Sequence, residues 1–253
     1  MVELIAGIVT LLATTILTVA GVGAAFILIP IYLALGIELH TAMSTALLLN
    51  GIAMSFASIT FARDELILWR LAFPIIITAT ILAPPGAYLS QYVSRTVLLT
   101  LFVVFLVFAA TMMLFFRQEN AERRSHLHHR HHWHRLTLGG TVGGVAGFLG
   151  GLLGVGGGNI IVPVLVWLGI PPKHASATTS FVVIFSSLAG FAGRASLGSL
   201  DMTLLSYTVA GSIGGALLGA WLMSRKLQNR HVKVLIGALL YVIAAKLLFD
   251  LYV

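Results

Sequence analysis

Long apolar segments separated by short polar loops run through the whole chain. In the first half, an apolar segment over 4–20 stops at a glycine-rich break, and a shorter segment follows over 24–36. The remaining apolar segments cover 42–61, 71–89, 97–116, 137–153, 159–169, 175–193, 202–223 and 232–250. Because about 20 apolar residues span a bilayer as a helix, this pattern predicts an all-α polytopic membrane protein. The shorter segments that follow the breaks predict broken-helix hairpins.

The composition restricts the class of protein. Of the 253 residues, 58% are hydrophobic and 9% are charged, and the mean hydropathy is +1.01. A soluble domain could not bury so much apolar surface. The first apolar segment lacks a basic leader and a cleavage site, so it is expected to belong to the mature fold. The chain has no cysteine, and its net charge of +7 is spread over short loops, which indicates membrane orientation and no nucleic-acid partner.

The two halves of the chain repeat one pattern. The stretch Gly21–Pro30 matches Gly154–Pro163 at a constant shift of 133 positions, since 163 − 30 = 133. The same shift relates Thr45 to Thr178. The sequence therefore predicts a first transmembrane repeat over 1–116, a cytoplasmic linker rich in His and Arg over 117–136, and a second repeat over 137–253.

Each glycine-rich stretch predicts a helix break inside the membrane. Backbone groups freed at that depth are tolerated only where they line an enclosed cavity or a solute. The helix that restarts directs unpaired N–H groups and the positive end of its dipole at that place, which is typical of an anion site. Hydroxyl and amide side chains near the breaks could complete the hydrogen bonds. The predicted substrate-binding residues are Gly21, Gly23, Ala24, Phe26, Ser44, Thr45, Asn50, Gly154, Gly156, Gly157, Gly158, Asn159, Thr178 and Thr179.

The loop charges predict how the two halves are oriented. An odd number of crossings in each half would invert the second half relative to the first, and an even number would leave them parallel. With the linker in the cytoplasm, the odd number places only Arg95 and Arg194 outside among the loop residues. The positive-inside rule therefore favours two inverted-topology repeats, each a broken-helix hairpin plus about three transmembrane helices, with both termini outside.

Other polar and small residues have two interpretations. Arg63 and Arg194 end corresponding segments and could attract anions at the two mouths, or snorkel to the interface. The linker histidines, including His128, His129, His131 and His132, could bind a metal ion or sense pH, or serve only as a solvated linker. Glycines spaced four apart indicate close helix packing, within the chain or in a homodimer. They include Gly139, Gly143, Gly147, Gly211, Gly215 and Gly219.

The motif Gly151-Leu-Leu-Gly154-Val-Gly-Gly-Gly-Asn-Ile-Ile-Val-Pro163, followed by Gly169-Ile-Pro and Ala175-Ser-Ala-Thr-Thr-Ser180, resembles the second-repeat motif of the sulfite exporter TauE/SafE family. The resemblance extends over nearly the whole chain. It implies transport of sulfur-containing anions, such as sulfite or organosulfonates, across the inner membrane of a prokaryote. The chain departs from that pattern at Ala24 and Ala25, which stand where the second half has Gly157 and Gly158, and in its histidine-rich linker.

Two classes of function remain open from the sequence. In the first, the chain is a secondary transporter, expected to be an exporter, whose partners are a small anion and the lipid bilayer, and coupling to protons is left open. In the second, it transports or senses metal ions through the linker histidines. The apolar segments hold no His-Glu-x-x-His, serine–lysine or paired-carboxylate arrangement, so the chain is predicted not to be an enzyme and to need no cofactor.

Overall fold

The computed structural model describes residues 2–34, 36–37, 39–89, 92, 95–115, 132–153, 158–194 and 202–252. All regular secondary structure in these residues is helical. The first half contains α1 (Val2–Ala20), α2 (Ala25–Ala34), α3 (Leu39–Arg63), α4 (Trp69–Leu89) and α5 (Arg95–Phe115). The second half contains α6 (His132–Leu153), α7 (Gly158–Trp167), α8 (Pro172–Arg194), α9 (Met202–Trp221) and α10 (Asn229–Tyr252). A π-helical turn, Leu222–Lys226, extends α9.

The helix boundaries follow the internal repeat of the sequence. The short helix α7 begins and ends 133 positions after α2, since 158 − 25 = 133 and 167 − 34 = 133. Helix α8 likewise begins 133 positions after α3, since 172 − 39 = 133. Helix α6 begins at His132, inside the segment predicted as linker. In the described part of each half, a long helix is therefore followed by a short helix and then by three long helices.

Apolar side chains cover the outside of the bundle. On α1, Ile8 and Leu12 are exposed, whereas Thr10 and Thr14 on the opposite face are buried. Exposed large apolar residues also lie along α4, α5 and α10, among them Phe73, Ile77, Ile81, Val104, Phe108, Val242 and Phe249. An outer surface of this kind suits hydrocarbon better than water.

Two stretches of the described residues are long and apolar enough to cross a membrane by length and composition. They are Ser44–Arg63 and Leu205–Lys226. Shorter apolar helical stretches lie at Ile5–Ala20, Trp69–Leu82, Gly139–Leu149 and Gly158–Trp167.

Glycine faces join the halves through two repeat-related helix pairs. Helix α9 packs on α1, where Gly211 lies against Gly7 and Gly219 against Thr18, so these helices run parallel. The equivalent pair is α6 on α4, where Gly139 lies against Pro74 and Gly147 against Ala79. The absence of a side chain lets the backbones approach closely. The glycine stripes of the sequence thus pack within one chain.

The central helices α3 and α8, one from each half, pack against each other and run antiparallel. The Asn50 Nδ2 atom donates to Ser187 Oγ at 2.7 Å, and the His174 Nδ1 atom lies 2.9 Å from the Leu66 carbonyl just after α3. The end of α3 therefore lies beside the start of α8, and the two repeat-related helices run antiparallel. Helices α5 and α10 are also antiparallel, since Thr111 bonds Tyr241 and Leu114 lies against Gly237.

Candidate functional site

The first break, Gly21–Ala24, is an ordered turn held by polar side chains. Gly21 and Gly23 have φ angles of +71° and +82°, which residues with a side chain rarely adopt. The Ala24 N–H donates to Asn50 Oδ1 at 2.7 Å, which satisfies one of the donors left free where α2 begins. The same amide donates from Nδ2 to Ser187. Asn50 thus fixes the start of α2 between the central helices.

One face of α8 lies along this break. Ser176 Oγ donates to the Val19 carbonyl at 2.9 Å, and Gly21 touches Ser176. Thr179, Val183 and Ser187 follow Ser176 on α8 by three, seven and eleven residues, so helical spacing places them on the same face as Ser176. The Thr179 side chain is therefore directed to the region between the contacts of Ser176 and Ser187.

The start of α7 meets the first break. A Cβ atom placed on Gly158 would lie 2.7 Å from the Val22 carbonyl oxygen and 2.9 Å from Val183 Cγ2. Only glycine allows so close an approach of the α7 backbone to the turn. The starts of α2 and α7 thus lie against the same short turn, and the positive ends of both helix dipoles are near it.

Three residues beside this contact have buried polar atoms without protein partners; the other described residues with such atoms are Thr14, Thr45, Ser58 and Asp64. Asn159, the second residue of α7, is 2% exposed, and neither its Oδ1 nor its Nδ2 has a hydrogen-bond partner. The buried Thr179 Oγ1 atom also lacks a partner, as does Thr18 Oγ1 in the last turn of α1. Buried polar atoms are normally hydrogen-bonded, and unsatisfied ones point to a missing water, ion or ligand. We call Thr18, Asn159 and Thr179, with the turn Gly21–Ala24, the break site.

The break site carries no formal charge. Its side chains are hydroxyls, an amide and aliphatic groups. Its electrostatic character comes from backbone N–H groups and two helix dipoles, which favour a negative ligand. Such a site can bind an anion without the strong ion pair that would retain it.

The sequence-predicted site residues fall into three groups. Gly21, Gly23, Ala24, Asn50, Gly158, Asn159 and Thr179 lie at or beside the break site. Gly154, Gly156 and Gly157, with the side chains of Phe26 and Arg194, lie outside the described residues. Ser44, Thr45, Thr178 and Arg63 lie elsewhere.

The repeat-related threonines do not meet. Thr45 precedes Asn50 by five residues and Thr178 precedes Ser187 by nine, on antiparallel helices joined at the Asn50–Ser187 bond. At 1.5 Å per residue, these offsets separate them by about 21 Å along the bundle. Thr178 Oγ1 accepts from Leu68 N–H at 3.0 Å in the loop after α3, whereas Thr45 Oγ1 is buried without a partner.

Two other predicted residues lie away from the break site. Ser44 is buried on α3 next to Thr45. Arg63 is exposed at the end of α3. Because α8 runs antiparallel to α3, the ends of α3 and α8 that carry Arg63 and Arg194 lie at opposite ends of the bundle.

The linker histidines fall mostly outside the described residues. His128, His129 and His131 are not described, and His132 is described only as the first residue of α6. Among the residues that the structure does describe, no group of three or more potential metal-ligating side chains occurs.

Sequence reasoning did not select Thr18, Val183 or Ser187. Thr18 follows Thr10 and Thr14 at a spacing of four, which marks one polar face of α1 and was available from the sequence. Ser187 and Val183 became relevant only through contacts between helices distant in the chain, which no local pattern records.

An uncharged polar site where two helix starts meet inside an apolar bundle is typical of a membrane transporter. The chain belongs to the sulfite exporter TauE/SafE family, a family of membrane transporters, because the family's sequence profile matches residues 6–247. This confirms the family that the glycine motif indicated.

Individual relatives agree with this assignment. The chain is 30% identical over 118 residues to the probable membrane transporter protein YunE of Bacillus subtilis, covering 46% of this chain and 43% of YunE. It is 26% identical over 232 residues to the probable membrane transporter protein YdhB of the same organism, covering 88% and 89%. A third relative is the sulfite exporter TauE/SafE family protein 3 of Arabidopsis thaliana, 32% identical over 115 residues that cover 46% of this chain and 23% of that protein. The chain therefore matches less than half the length of YunE and of the Arabidopsis protein. No solved structure is significantly similar to the chain.

Proposed function

We propose that this protein is a secondary transporter that exports small sulfur-containing oxyanions, such as sulfite or an organosulfonate, across the cytoplasmic membrane. The substrate is held near the middle of the bilayer at the break site. The observation that carries the proposal is the contact between the two breaks, in which Gly158 at the start of α7 lies against Val22. Two positive helix ends at one buried position favour an anion.

The absence of a charged side chain at the break site supports transport, because a transported anion must be released after it binds. A fixed Lys or Arg would stabilise the bound anion strongly in a low-dielectric interior. Hydroxyl, amide and backbone donors stabilise it less, so the anion can leave on the other side. Unpartnered Asn159 and Thr179 supply such donors.

The helix directions support an inverted repeat. Repeat-related helices α3 and α8 are antiparallel, as are α5 and α10. If these helices cross the bilayer, the second half is turned over relative to the first. Alternating access would then exchange two similar arrangements of the halves around a fixed central site.

The basic residues support one orientation in the membrane. The end of the bundle formed by the end of α3 and the starts of α8 and α10 carries Arg63, Lys173, Arg225, Lys226 and Arg230. The helix directions place the linker at the same end. By the positive-inside rule this end faces the cytoplasm, and both termini face outward.

Export needs no coupling ion in this proposal. An inside-negative potential drives an anion outward by about 2.3 kcal/mol per charge per 100 mV. The break site has no carboxylate that would carry a proton with the substrate. We therefore propose uniport.

Flux in proteoliposomes tests the function. Vesicles containing the purified protein are loaded with sulfite, methanesulfonate, sulfate or acetate, and efflux is followed under an imposed potential and then under a pH gradient. We expect saturable efflux of the sulfur oxyanions that depends on the potential. If none of the anions moves faster than in protein-free vesicles, the proposed function is wrong.

A matched pair of glycine variants connects flux to the break site. A Cβ on Gly158 would meet the Val22 carbonyl at 2.7 Å, whereas a Cβ on Gly140 would meet only Thr78 Cγ2 at 3.7 Å. Gly158→Ala should lower the flux at least tenfold, and Gly140→Ala should leave it unchanged. Equal flux in both variants would remove the break site from the pathway.

Single cysteines test the orientation, since the native chain has none. Cysteines at positions 70, 128 and 230 should react with an impermeant thiol reagent only from the cytoplasmic side. A cysteine at position 92 should react only from outside. Labelling of positions 128 and 230 from different sides would contradict the inverted repeat.

A further inference from the structure

We propose that the break site prefers a monoprotonated oxyanion to the fully ionised form of the same anion, because the Asn159 amide can bond both an oxygen that carries a proton and a neighbouring oxygen that does not. This inference rests on the proposed function and specifies the protonation state of its substrate. For sulfite, the transported species would be hydrogensulfite and not the dianion.

The Asn159 amide is the observation that points to such a ligand. It is 2% exposed, and both its donor and its acceptor lack protein partners. It lies in the first turn of α7, one residue after the glycine that touches the first break. Interchanging the amide nitrogen and oxygen of Asn159 would still leave one donor and one acceptor without a partner. By contrast, Asn50 on α3, which bonds the first break, uses both of its amide atoms.

A primary amide presents a donor and an acceptor side by side. A fully ionised oxyanion offers only acceptors, so it can bond Nδ2 but places a negative oxygen near Oδ1. A monoprotonated oxyanion matches both atoms, because its O–H donates to Oδ1 and its adjacent oxygen accepts from Nδ2. Its remaining oxygens can accept from Thr179 and from the free N–H groups that begin α7.

Burial increases the free-energy cost of leaving the Asn159 acceptor without a donor when a fully ionised anion binds. A buried acceptor without a donor loses its bonds to water and gains none in return. That loss corresponds to about ten- to hundredfold in affinity, on the scale of tenfold per 1.4 kcal/mol. The site should therefore prefer the monoprotonated form by at least tenfold.

No described titratable group faces the Asn159 amide. The neighbours that the structure gives to the start of α7 are Val22 and Val183. The titratable or charged residues on the helices packed against α7 are Arg95 on α5, His132, His134 and Arg135 on α6, and Lys173, His174 and Arg194 on α8; α1, which leads into the first break, carries Glu3. All lie near helix ends, and His174 is five residues, or about 7.5 Å along the axis, from Thr179. A pH dependence of binding should therefore come from the ligand.

Flux at equal pH on both sides of the membrane tests the inference. Efflux of radiolabelled sulfite is measured at fixed potential and fixed total concentration, across the pH range in which hydrogensulfite loses its proton. Methanesulfonate, a monoanion that cannot gain a proton in this range, is the reference. Protein-free vesicles give the background from neutral sulfur dioxide, which crosses lipid without a carrier. We expect saturable sulfite flux to fall at least tenfold with rising pH while methanesulfonate flux stays constant.

Two variants connect this preference to Asn159. Asn159→Leu removes the acceptor and the donor while keeping the number and branching of the side-chain heavy atoms, so the ratio of sulfite flux at low and high pH should fall to about that of methanesulfonate. Asn159→Ser keeps a hydroxyl that can donate and accept, so it should retain part of the decrease in sulfite flux with rising pH. Gel filtration in detergent checks that each variant is folded.

The outcomes separate this inference from the proposed function. Sulfite flux that does not change with pH in the native protein would overturn the inference while leaving anion transport intact. An unchanged pH ratio in folded Asn159→Leu would also overturn it. Absence of both sulfite and methanesulfonate flux at every pH would instead reject the proposed function.

Discussion

The two breaks share one sequence pattern but differ in how their polar groups are satisfied. At the first break, Asn50 accepts from Ala24 N–H and donates to Ser187, and Gly23 packs against its amide. The repeat equivalent of Asn50 is Val183, since 50 + 133 = 183, and valine cannot form these bonds. After the second break, the Asn159 amide is buried without partners.

This difference separates a structural amide from the amide that we propose to bind the ligand. Asn50 stabilises the turn in the free protein, because every bond it makes is internal. Asn159 lowers the stability of the free protein, since burial removes water from its amide without replacement. In our proposal, the bound anion completes the hydrogen bonds of the Asn159 amide. The following substitutions test that distinction.

Replacing Asn50 with leucine should have the largest effect. It leaves the Ala24 N–H and the Ser187 hydroxyl buried without their partner, at about 1 to 3 kcal/mol for each group. We expect the free energy of unfolding to fall by about 3 to 5 kcal/mol. Loss of helical circular dichroism on heating in detergent measures this, and a midpoint equal to that of the native protein would contradict the structural role.

Gly23→Ala should have the next largest effect. A Cβ at Gly23 would lie 2.5 Å from Asn50 Oδ1, and the φ angle of +82° strains any side chain. Gly36→Ala is the matched control, because Gly36 has a φ angle of +83° and nothing within 4 Å of its Cβ position. We expect a loss of about 1 kcal/mol for Gly36→Ala and about 2 to 3 kcal/mol for Gly23→Ala in the same thermal assay. Equal losses would show that the Asn50 contact adds nothing to backbone strain.

Ser187→Ala should have a smaller effect. It removes the acceptor of the Asn50 Nδ2 donor at 2.7 Å but leaves the bond from Ala24 to Oδ1. A loss of about 1 kcal/mol is expected from one buried hydrogen bond. Combined with Asn50→Leu, it should add little, because the double variant loses the same bond once. Full additivity in thermal unfolding would contradict this coupling.

Asn159→Leu should have the smallest effect on stability and the opposite sign. It replaces an unsatisfied buried amide with an apolar side chain of the same heavy-atom number and branching, so we expect a gain of about 0.5 to 1 kcal/mol without ligand. Added sulfite should raise the unfolding temperature of the native protein but not of the variant. If Asn159→Leu destabilised the protein as much as Asn50→Leu, the proposed difference between the two amides would be wrong.

Much of the architecture could be predicted from local patterns. Apolar segments and glycine breaks predicted helices, because helix boundaries depend on neighbouring residues and on backbone freedom at Gly21 and Gly23. The glycine motif also indicated the family, which the match over residues 6–247 confirms. The packing of Gly211 against Gly7 could not be assigned, since a stripe of small residues suits any helix of complementary shape.

The candidate site was only partly predictable. Asn159 could be proposed from its place after the glycine run, but its lack of partners depends on side chains from other helices. Thr45 and Thr178 are related by the repeat and were expected to share a site, yet the antiparallel arrangement of α3 and α8 separates them. An internal repeat shows which residues occupy the same position in the two halves. The distance between two such residues depends on where the axis that relates the halves lies.

The sequence by itself determined the all-helical membrane class, the duplication and the positions of the breaks, because hydrophobicity and backbone freedom act over a few residues. Only the tertiary structure decided that the two helix starts meet at Val22 and Gly158, that Asn50 is satisfied and that Asn159 is not. These features arise from contacts between residues on different helices, 26 residues apart for Ala24 and Asn50 and 137 for Asn50 and Ser187, and local sequence patterns do not record such contacts.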